Sequence, residues 1–256
     1  IPSERNMKIL NLLGNTWVLR SLAWETSLWF YFYRAYLSLF KRDKLKNLVK
    51  KDTDIVVEGF PRSANTYLST CLEEANKKEL KLASHLHDIV QLYFGKKYSI
   101  PIFIVFRKPL ESLISFKMKF PKSDLNTMSN IYIKFYSYAI ENSDHINFID
   151  FSDATTKTDI VVEKILSSLP SKSRSGKILK VDQRKVFSII KEKKLGRAFN
   201  KRNHKESNFD LSIALPTSRK ESERSSLENS IILELGSRMH ELDKIYEKLC
   251  QKSIEF

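Results

Sequence analysis

The sequence predicts an α/β fold with a mostly parallel central sheet that is flanked by helices on both faces. Residues 55–57 and 100–106 form apolar runs without alternation, which is typical of strands buried on both sides. Residues 146–151 form a third run of this kind, and segments with helical spacing separate the three runs. Strands that alternate with helices favour a parallel sheet between two helical layers.

The composition of the chain indicates more about its binding partners than about its fold. The chain has 256 residues, 42% of them hydrophobic, which is enough for the core of one α/β domain. Its formal net charge of +14 indicates an anionic partner. The two cysteines are Cys71 and Cys250, and Cys71 falls on a predicted core face. A disulfide framework is therefore not expected, and a reducing, cytoplasmic compartment is favoured.

The first 50 residues form an aromatic and basic N-terminal helical segment, and residues 51–256 form the main domain. Residues 17–40 are rich in Trp, Tyr and Phe, but charged residues interrupt them before a bilayer-spanning length is reached. Two interpretations stay open for this helix. It packs on the domain, or it lies in a membrane surface as a peripheral contact. Residues 41–51 are then a basic linker into the first strand.

The first strand leads into a tight loop and a helix. The helix is predicted from Leu68, Cys71, Leu72 and Ala75, which share one face. The loop, residues 59–67, holds a cation, two hydroxyls and small side chains. Such a loop presents backbone N–H groups and the positive end of the helix dipole to an anion, so it predicts a phosphate site. It is not the ATP-binding loop, because it has neither a second Gly nor a Lys-Ser/Thr pair.

Two further strands, each followed by a helix, are predicted after the first helix of the sheet. The Leu80 and Leu82 alternation indicates a short strand that ends at His85, and a helix follows over residues 89–94. The strand over 100–106 runs into Arg107, and Pro109 is well placed to open the next helix. The predicted buried face of that helix consists of Leu110, Leu113, Ile114 and Met118.

The remaining elements are helices over 130–140 and 160–169, the strand over 146–151, and one terminal helix over 219–250. A capping box, residues 218–221, opens the terminal helix. Its predicted core positions are Leu227, Ile231, Leu235, Met239, Leu242, Tyr246 and Leu249. Between the helix over 160–169 and the terminal helix, residues 171–216 are basic and predicted to be flexible. Residues 171–205 contain many Lys and Arg residues, and their only acidic residues are Asp182 and Glu192.

Three chemically active side chains follow strands. Ligands in parallel sheets bind at the carboxyl ends of strands, where Arg62, His85 and Arg107 all fall. A metal site is not predicted, because nothing near His85 and His87 completes a zinc ligand set.

Two motifs resemble those of the sulfotransferases that use 3′-phosphoadenosine 5′-phosphosulfate. The segment 59–68, GFPRSANTYL, resembles their 5′-phosphosulfate loop. The segment 104–116 resembles their 3′-phosphate motif, with Arg107 and Ser115 at the family's spacing. His85 lies between the motifs, where the family has its catalytic histidine. The resemblance covers residues 54–151 and is absent before residue 50. It implies the P-loop-like, three-layer sulfotransferase architecture and an enzyme that needs no metal.

The resemblance also implies a role for each motif residue. His85 is the general base, and Arg62 stabilises the leaving group electrostatically, since Arg cannot give up a proton at pH 7. Arg107 and Ser115 bind the 3′-phosphate. Arg62 lies in a different pocket, so the resemblance implies two separated cationic pockets. The 5′-phosphate is bound by backbone N–H groups of Ser63, Ala64, Asn65 and Thr66, and the hydroxyls of Ser63 and Thr66 assist. Tyr67, where relatives have Trp, stacks on adenine or simply packs.

Two departures from the family pattern weaken the match. Ala64 replaces the usual Gly, which requires that its φ be negative. The C-terminal motif that closes over the 3′-phosphate has no clean copy, and its nearest candidate supplies Arg219 and Lys220.

Simpler roles stay open for several residues. His87 or Asp88 could be the base or could orient His85. Arg107 could only form a salt bridge to Glu111, Ser115 could be ordinary helix surface, and Glu58 is predicted to be structural.

The predicted acceptor is a hydroxyl on a carbohydrate, lipid or small metabolite, with a weak preference for an anionic or membrane-proximal one. Two other classes of function compete. One is a P-loop kinase-like phosphotransferase, although the loop lacks Lys-Ser/Thr and no Mg²⁺-binding Asp is evident. The other is a non-enzymatic basic module that binds a membrane or nucleic acid through residues 171–205, with nucleic acid the less favoured partner.

Overall fold

A computed structural model describes residues 27–40, 42–199 and 218–255 of the chain. It confirms the α/β fold. Its four strands are β1 (Ile55–Glu58), β2 (Leu82–Ser84), β3 (Ile102–Phe106) and β4 (Ile146–Asp150). They form one sheet in the order β2-β1-β3-β4, and every neighbouring pair is parallel.

The parallel register brings the carboxyl ends of all four strands to one edge of the sheet. Val57 pairs with Ser84, Glu58 pairs with Ile104, and Phe106 pairs with Asp150. The chain therefore leaves the sheet on this edge at Gly59, His85, Arg107 and Phe151. This is the edge at which the sequence predicts the ligand.

The predicted helices occur in the predicted order, and the helices over Phe151–Thr156 and Gln183–Phe199 are additional. The helices are α1 (Ser27–Phe40), α2 (Asn65–Ala75), α3 (Ile89–Lys97), α4 (Pro109–Lys119), α5 (Leu125–Glu141), α6 (Phe151–Thr156), α7 (Thr158–Ser168), α8 (Gln183–Phe199), α9 (Ser218–Leu235) and α10 (Arg238–Gln251). Short 3₁₀ segments cover Arg42–Asn47 and Ser143–His145. Pro109 opens α4 as predicted, because its missing N–H needs no partner in the first turn.

Alternate strand residues point to two separate hydrophobic cores, which makes the fold three-layered. Val56 and Ile104 pack with α3, α4, α5, α9 and α10 on one face. Val57 and Val105 pack with α2, α7 and α8 on the other. Cys71 is fully buried in the second core, and both cysteines are free thiols.

The predicted linker over residues 41–51 is instead packed where the structure describes it. Leu48 and Val49 are buried against the sheet. The side-chain amide of Gln91 accepts from the Val49 N–H at 2.7 Å and donates to the Asn47 carbonyl at 2.8 Å. Apolar burial and this pair of hydrogen bonds fix the entry to β1.

Helix α1 contacts the domain through an aromatic pair and leaves apolar side chains exposed. The Tyr31 ring packs edge-on against Phe94, with centroids 6.0 Å apart. Leu28, Phe32 and Leu39 are at least half exposed. No helix in the described part of the chain is long and apolar enough to cross a membrane.

The described part of the basic segment, residues 171–199, packs on the domain. Val186 and Ile190 on α8 are buried in the second core. Salt bridges join Lys185 to Glu74 and Lys193 to Glu73 on α2. The rest of the predicted flexible segment, residues 200–216, lies outside the described residues.

The single terminal helix predicted over 219–250 is two helices. Gly236 separates α9 from α10 and adopts a left-handed conformation with φ 50°. Glycine is favoured there because it has no Cβ to clash. The predicted core positions are confirmed, with Ile231, Leu235, Leu242 and Leu249 buried. The capping side chains over 218–221 lie outside the described side chains.

Candidate active site

The loop between β1 and α2 packs directly on β3. A Cβ on Gly59 would lie 2.1 Å from the Val105 carbonyl oxygen, so only glycine fits. Tyr136, on α5, ties the two segments together. Its hydroxyl accepts from the Phe60 N–H at 3.0 Å and donates to the same Val105 carbonyl at 3.1 Å. Burial raises the pKa of Tyr136, so this hydroxyl keeps its proton.

Helix α2 begins without a side-chain cap. Its N-cap residue is Ala64, and no side chain accepts from the first-turn N–H groups. By contrast, Asp88, Asp124 and Asp150 cap α3, α5 and α6. Uncapped N–H groups at the positive end of a helix dipole are suited to an anion.

The backbone of this loop corrects one prediction. Ala64 has φ 64°, whereas the sequence analysis required a negative value, and Arg62 has φ 78°. The left-handed region disfavours residues with a Cβ. The contacts of Gly59 with β3 and of Phe60 with Tyr136 fix the chain just before these two residues.

Arg62 reaches the residues predicted for the 3′-phosphate. Its Nε donates to the Ser115 hydroxyl at 3.0 Å. Burial and the neighbouring Arg107 lower the pKa of Arg62 to about 10, so it remains a cation at neutral pH. Ser115 is therefore not ordinary helix surface. The two separated pockets that the sequence predicts form one cationic cluster of Arg62, Arg107 and Ser115 instead.

Arg107 faces the loop and also forms the salt bridge that the sequence left open. Its NH1 donates to the Arg62 carbonyl at 3.4 Å, and its guanidinium lies 4.2 Å from the centroid of the Phe151 ring. Its NH2 bonds to the Glu111 carboxylate at 2.9 Å. Burial lowers the pKa of Arg107. The Arg107 carbonyl accepts from the Tyr132 hydroxyl at 3.0 Å, which fixes the end of β3.

A third guanidinium shares Glu111. Arg224, on α9, bonds to the second carboxylate oxygen at 3.0 Å. Burial raises the pKa of Glu111, but Arg107 and Arg224 outweigh it, so that the pKa is lowered and the carboxylate is ionised. Arg219 and Lys220, the predicted contributors from this region, lie at the start of α9, and their side chains are outside the described ones. Arg224 was not singled out in the sequence, although it lies one helical turn beyond Lys220.

The loop after β2 carries both histidines and bends sharply. His85 has φ 65° and His87 has φ 53°, and their ring centroids are 6.4 Å apart. The Nδ1 atom of His87 lies 2.7 Å from the Gly59 carbonyl oxygen. Asp88 is buried and accepts from the Val90 N–H at 3.0 Å, which makes it the N-cap of α3 rather than a base.

Glu58 holds this loop from within the core. Its side chain is fully buried. One carboxylate oxygen accepts from the Leu86 N–H at 2.9 Å, and the other accepts from the His87 N–H at 3.1 Å. Burial raises the pKa of Glu58 to about 7, while these bonds and the Gln91 amide act in the opposite direction. The prediction that Glu58 is structural is confirmed, because its hydrogen bonds fix the loop over residues 85–87.

The other predicted loop residues are mostly buried. The Ser63 hydroxyl lies 3.5 Å from the Tyr136 hydroxyl in the core, so it does not face the N-terminus of α2. Asn65 is also buried, and its Nδ2 donates to the Gly59 carbonyl at 3.1 Å. Thr66 is partly exposed in the first turn.

Tyr67 takes the packing role rather than an adenine-stacking one. Its ring is buried against Phe187, and its hydroxyl lies 3.0 Å from that of Thr158. Burial raises the pKa of Tyr67 to about 12, so this hydroxyl stays protonated and hydrogen-bonded in the core.

An open cleft of about 870 Å³ lies along α7, lined by Lys78, Asp159, Glu163, Ser167, Ser171 and residues 174–180. Its lining includes none of Arg62, Arg107, Ser115 and the two histidines, so it is distinct from the candidate active site.

Comparison of the chain with protein-family models and with curated proteins finds no match. The resemblance to the sulfotransferases therefore depends on the two sequence motifs alone. In the described ranges, with gaps at 41 and 200–217, no group of three His, Cys, Asp or Glu side chains could hold a metal ion.

Proposed function

We propose that this protein transfers a sulfuryl group from 3′-phosphoadenosine 5′-phosphosulfate to a hydroxyl acceptor. The observation that carries the proposal is the meeting of Arg62, Arg107 and Ser115 beside the uncapped N-terminus of α2. Two guanidinium groups, of which Arg107 also pairs with Glu111, lie beside the N-terminus of α2, and this arrangement favours a ligand with more than one phosphate.

The chain's own groups suggest how such a donor binds. The first-turn N–H groups of α2, with Thr66 partly exposed among them, suit the 5′-phosphosulfate. Arg107 and Ser115 suit the 3′-phosphate. The Arg62 backbone belongs to the loop, and its guanidinium reaches Ser115, so this residue spans both ends of the ligand.

The donor supplies the sulfuryl group: a bond forms from the acceptor oxygen to sulfur, and the bond to the 5′-phosphate oxygen breaks with its electron pair. Arg62 stabilises the charge on that oxygen electrostatically, since its pKa of about 10 keeps its proton in place. An imidazole of the loop over residues 85–87 takes the proton of the acceptor hydroxyl.

We also propose a cytoplasmic location with peripheral membrane contact and a carbohydrate, lipid or small-metabolite acceptor. The free thiols of Cys71 and Cys250 support a reducing compartment. Exposed Leu28, Phe32 and Leu39 on α1, together with the net charge of +14, support an anionic or membrane-proximal acceptor.

Two assays test the proposal. Adenosine 3′,5′-bisphosphate should raise the melting temperature of the protein, and ATP with Mg²⁺ should not. Donor labelled with ³⁵S should pass its label to at least one member of a panel of glycans, lipids and phenols. Stabilisation by ATP and not by the bisphosphate would replace the proposal with the kinase-like phosphotransferase.

A further inference from the structure

The Gly59 carbonyl fixes the tautomer of one histidine at the site. A carbonyl oxygen has no proton, so the 2.7 Å contact with Nδ1 of His87 requires the proton to be on Nδ1. The basic lone pair of the neutral ring is then on Nε2, on the opposite side of the ring from the carbonyl. The residue that supplies this carbonyl opens the anion-binding loop, so the ring is anchored next to the proposed sulfuryl donor.

The Glu58 carboxylate fixes the backbone that carries this ring. It accepts from the N–H groups of Leu86 and His87, and the Gln91 amide donates to it at 3.4 Å. These bonds hold His87 at φ 53°, a conformation that costs energy for a residue with a Cβ. His85 lies one residue outside the pair of N–H groups that Glu58 binds.

Charge placement also favours His87. Its Nδ1 lies 3.6 Å from the Glu58 carboxyl group, which stabilises an imidazolium formed there when Glu58 is ionised. The other groups that face the ring are the Asn65 amide, whose Nδ2 is 3.4 Å from Nδ1, and the His85 ring. Asp88 adds a further negative charge next to Glu58.

We infer that His87, rather than His85, is the proton acceptor in sulfuryl transfer, and that Glu58 and the Gly59 carbonyl are its positioning groups. This inference rests on the proposed function. In the step, the acceptor O–H bond breaks and the proton moves to Nε2 of His87. The acceptor oxygen bonds to sulfur, and the bisphosphate leaves with the electron pair of the old bond.

The decisive variant is His87→Asn, with His85→Asn as the competing variant. An Asn amide nitrogen can replace Nδ1 as the donor to Gly59, but it has no base in the place of Nε2. We expect His87→Asn to keep bisphosphate binding, measured by thermal shift, within about twofold. Release of ³⁵S-sulfate or transfer to an acceptor should fall about 10²- to 10⁴-fold, whereas His85→Asn should lose less than about tenfold.

Two further readouts separate catalysis from structure. Free imidazole should restore turnover to His87→Gly and not to His85→Gly. In wild-type protein, ¹⁵N shifts of the His87 ring should show a protonated Nδ1 and a pyridine-type Nε2. Glu58→Gln should lower kcat while the KM for the donor stays within about twofold, as a positioning residue requires.

The outcomes are distinct. Loss of turnover in His85→Asn with activity retained in His87→Asn would overturn the inference and leave the proposed function standing, and so would the opposite tautomer of His87. A wild-type protein that neither binds the bisphosphate nor transfers sulfate would overturn the proposed function, and the inference with it.

Discussion

At the scale of single residues, the close approach of Gly59 to β3 sets the position of the loop between β1 and α2. A Cβ added to Gly59 would lie 2.1 Å from the backbone carbonyl oxygen of Val105, and no side-chain rotation could relieve this clash. Tyr136 bonds to both segments at this point, so a shift of one segment would also break those hydrogen bonds. The site geometry therefore depends on a residue that has no side chain.

We expect Gly59→Ala to lower the free energy of unfolding by about 3 kcal/mol, because the backbone of the loop or of β3 must move. The matched control is Gly176→Ala, where an added Cβ meets nothing within 4 Å, and it should change stability by less than about 0.5 kcal/mol. Urea unfolding of both variants provides the measurement. Equal stability of the two variants would contradict the packing described here.

The buried Glu58 carboxyl group should give stability a characteristic pH dependence. Its pKa is about 7 in the folded protein against 4.5 in an unfolded chain. A raised pKa contributes stability that is fully present below about 4.5 and is lost as the pH rises through about 7. Between pH 5 and 8 this loss should be about 2–3 kcal/mol.

The measurement is urea unfolding at pH 5, 6, 7 and 8 for wild type and Glu58→Gln. The wild type should lose stability relative to the variant as the pH rises, because Gln cannot ionise. Parallel curves for the two proteins would show that Glu58 keeps the same charge throughout this range.

At the scale of elements, apolar contacts rather than ion pairs hold the basic helix α8 on α2. Val186 and Ile190 are buried, whereas the Lys193 and Glu73 side chains are about half exposed in their salt bridge. Exposed ion pairs contribute little because water screens them and two long side chains must be ordered.

Ile190→Ala should therefore cost about 2–4 kcal/mol of unfolding free energy, and Lys193→Ala less than about 1 kcal/mol. Thermal or urea unfolding distinguishes them. A larger loss in the lysine variant would mean that charge, and not burial, anchors this segment.

The elements that the sequence predicted are those with a local pattern. Residues 100–106 gave the strand β3 because they are uniformly apolar, and Pro109 marked the start of α4 because its chemistry is position-specific. Helix α8 was missed because Val186 and Ile190, four residues apart, lie among many charges. The break at Gly236 was missed because one Gly inside a helical pattern is a weak signal.

The site was predictable only in part, for a related reason. The register of parallel strands explains why residues after β1, β2 and β3 meet, and this much follows from the pattern. The direction of the Arg62 side chain depends on Ser115, and the position of Arg224 depends on Glu111, more than a hundred residues earlier. The left-handed φ of Ala64 depends on contacts with other segments. Tertiary contacts of this kind leave no mark in a local sequence pattern.

At the scale of the whole molecule, a net charge of +14 attracts anions, but it does not choose among them. We propose that the cationic cluster supplies the selectivity, because Arg62, Arg107 and Ser115 lie beside one uncapped helix N-terminus. A ligand with phosphates at two ends should gain affinity from both the cationic cluster and the helix N-terminus. A ligand with one phosphate should gain affinity from only one of them.

Calorimetric titration with adenosine 3′,5′-bisphosphate tests this most directly, with 5′-AMP as the single-phosphate comparison. We expect one-to-one binding of the bisphosphate that is at least tenfold tighter than that of 5′-AMP. Arg107→Ala should remove this advantage, because a charged hydrogen bond is worth about 1.5–3 kcal/mol. Lys108→Ala, at the exposed neighbouring residue, should change the Kd less than about twofold. No binding, or equal affinity for the two nucleotides in wild-type protein, would contradict the assignment of this site.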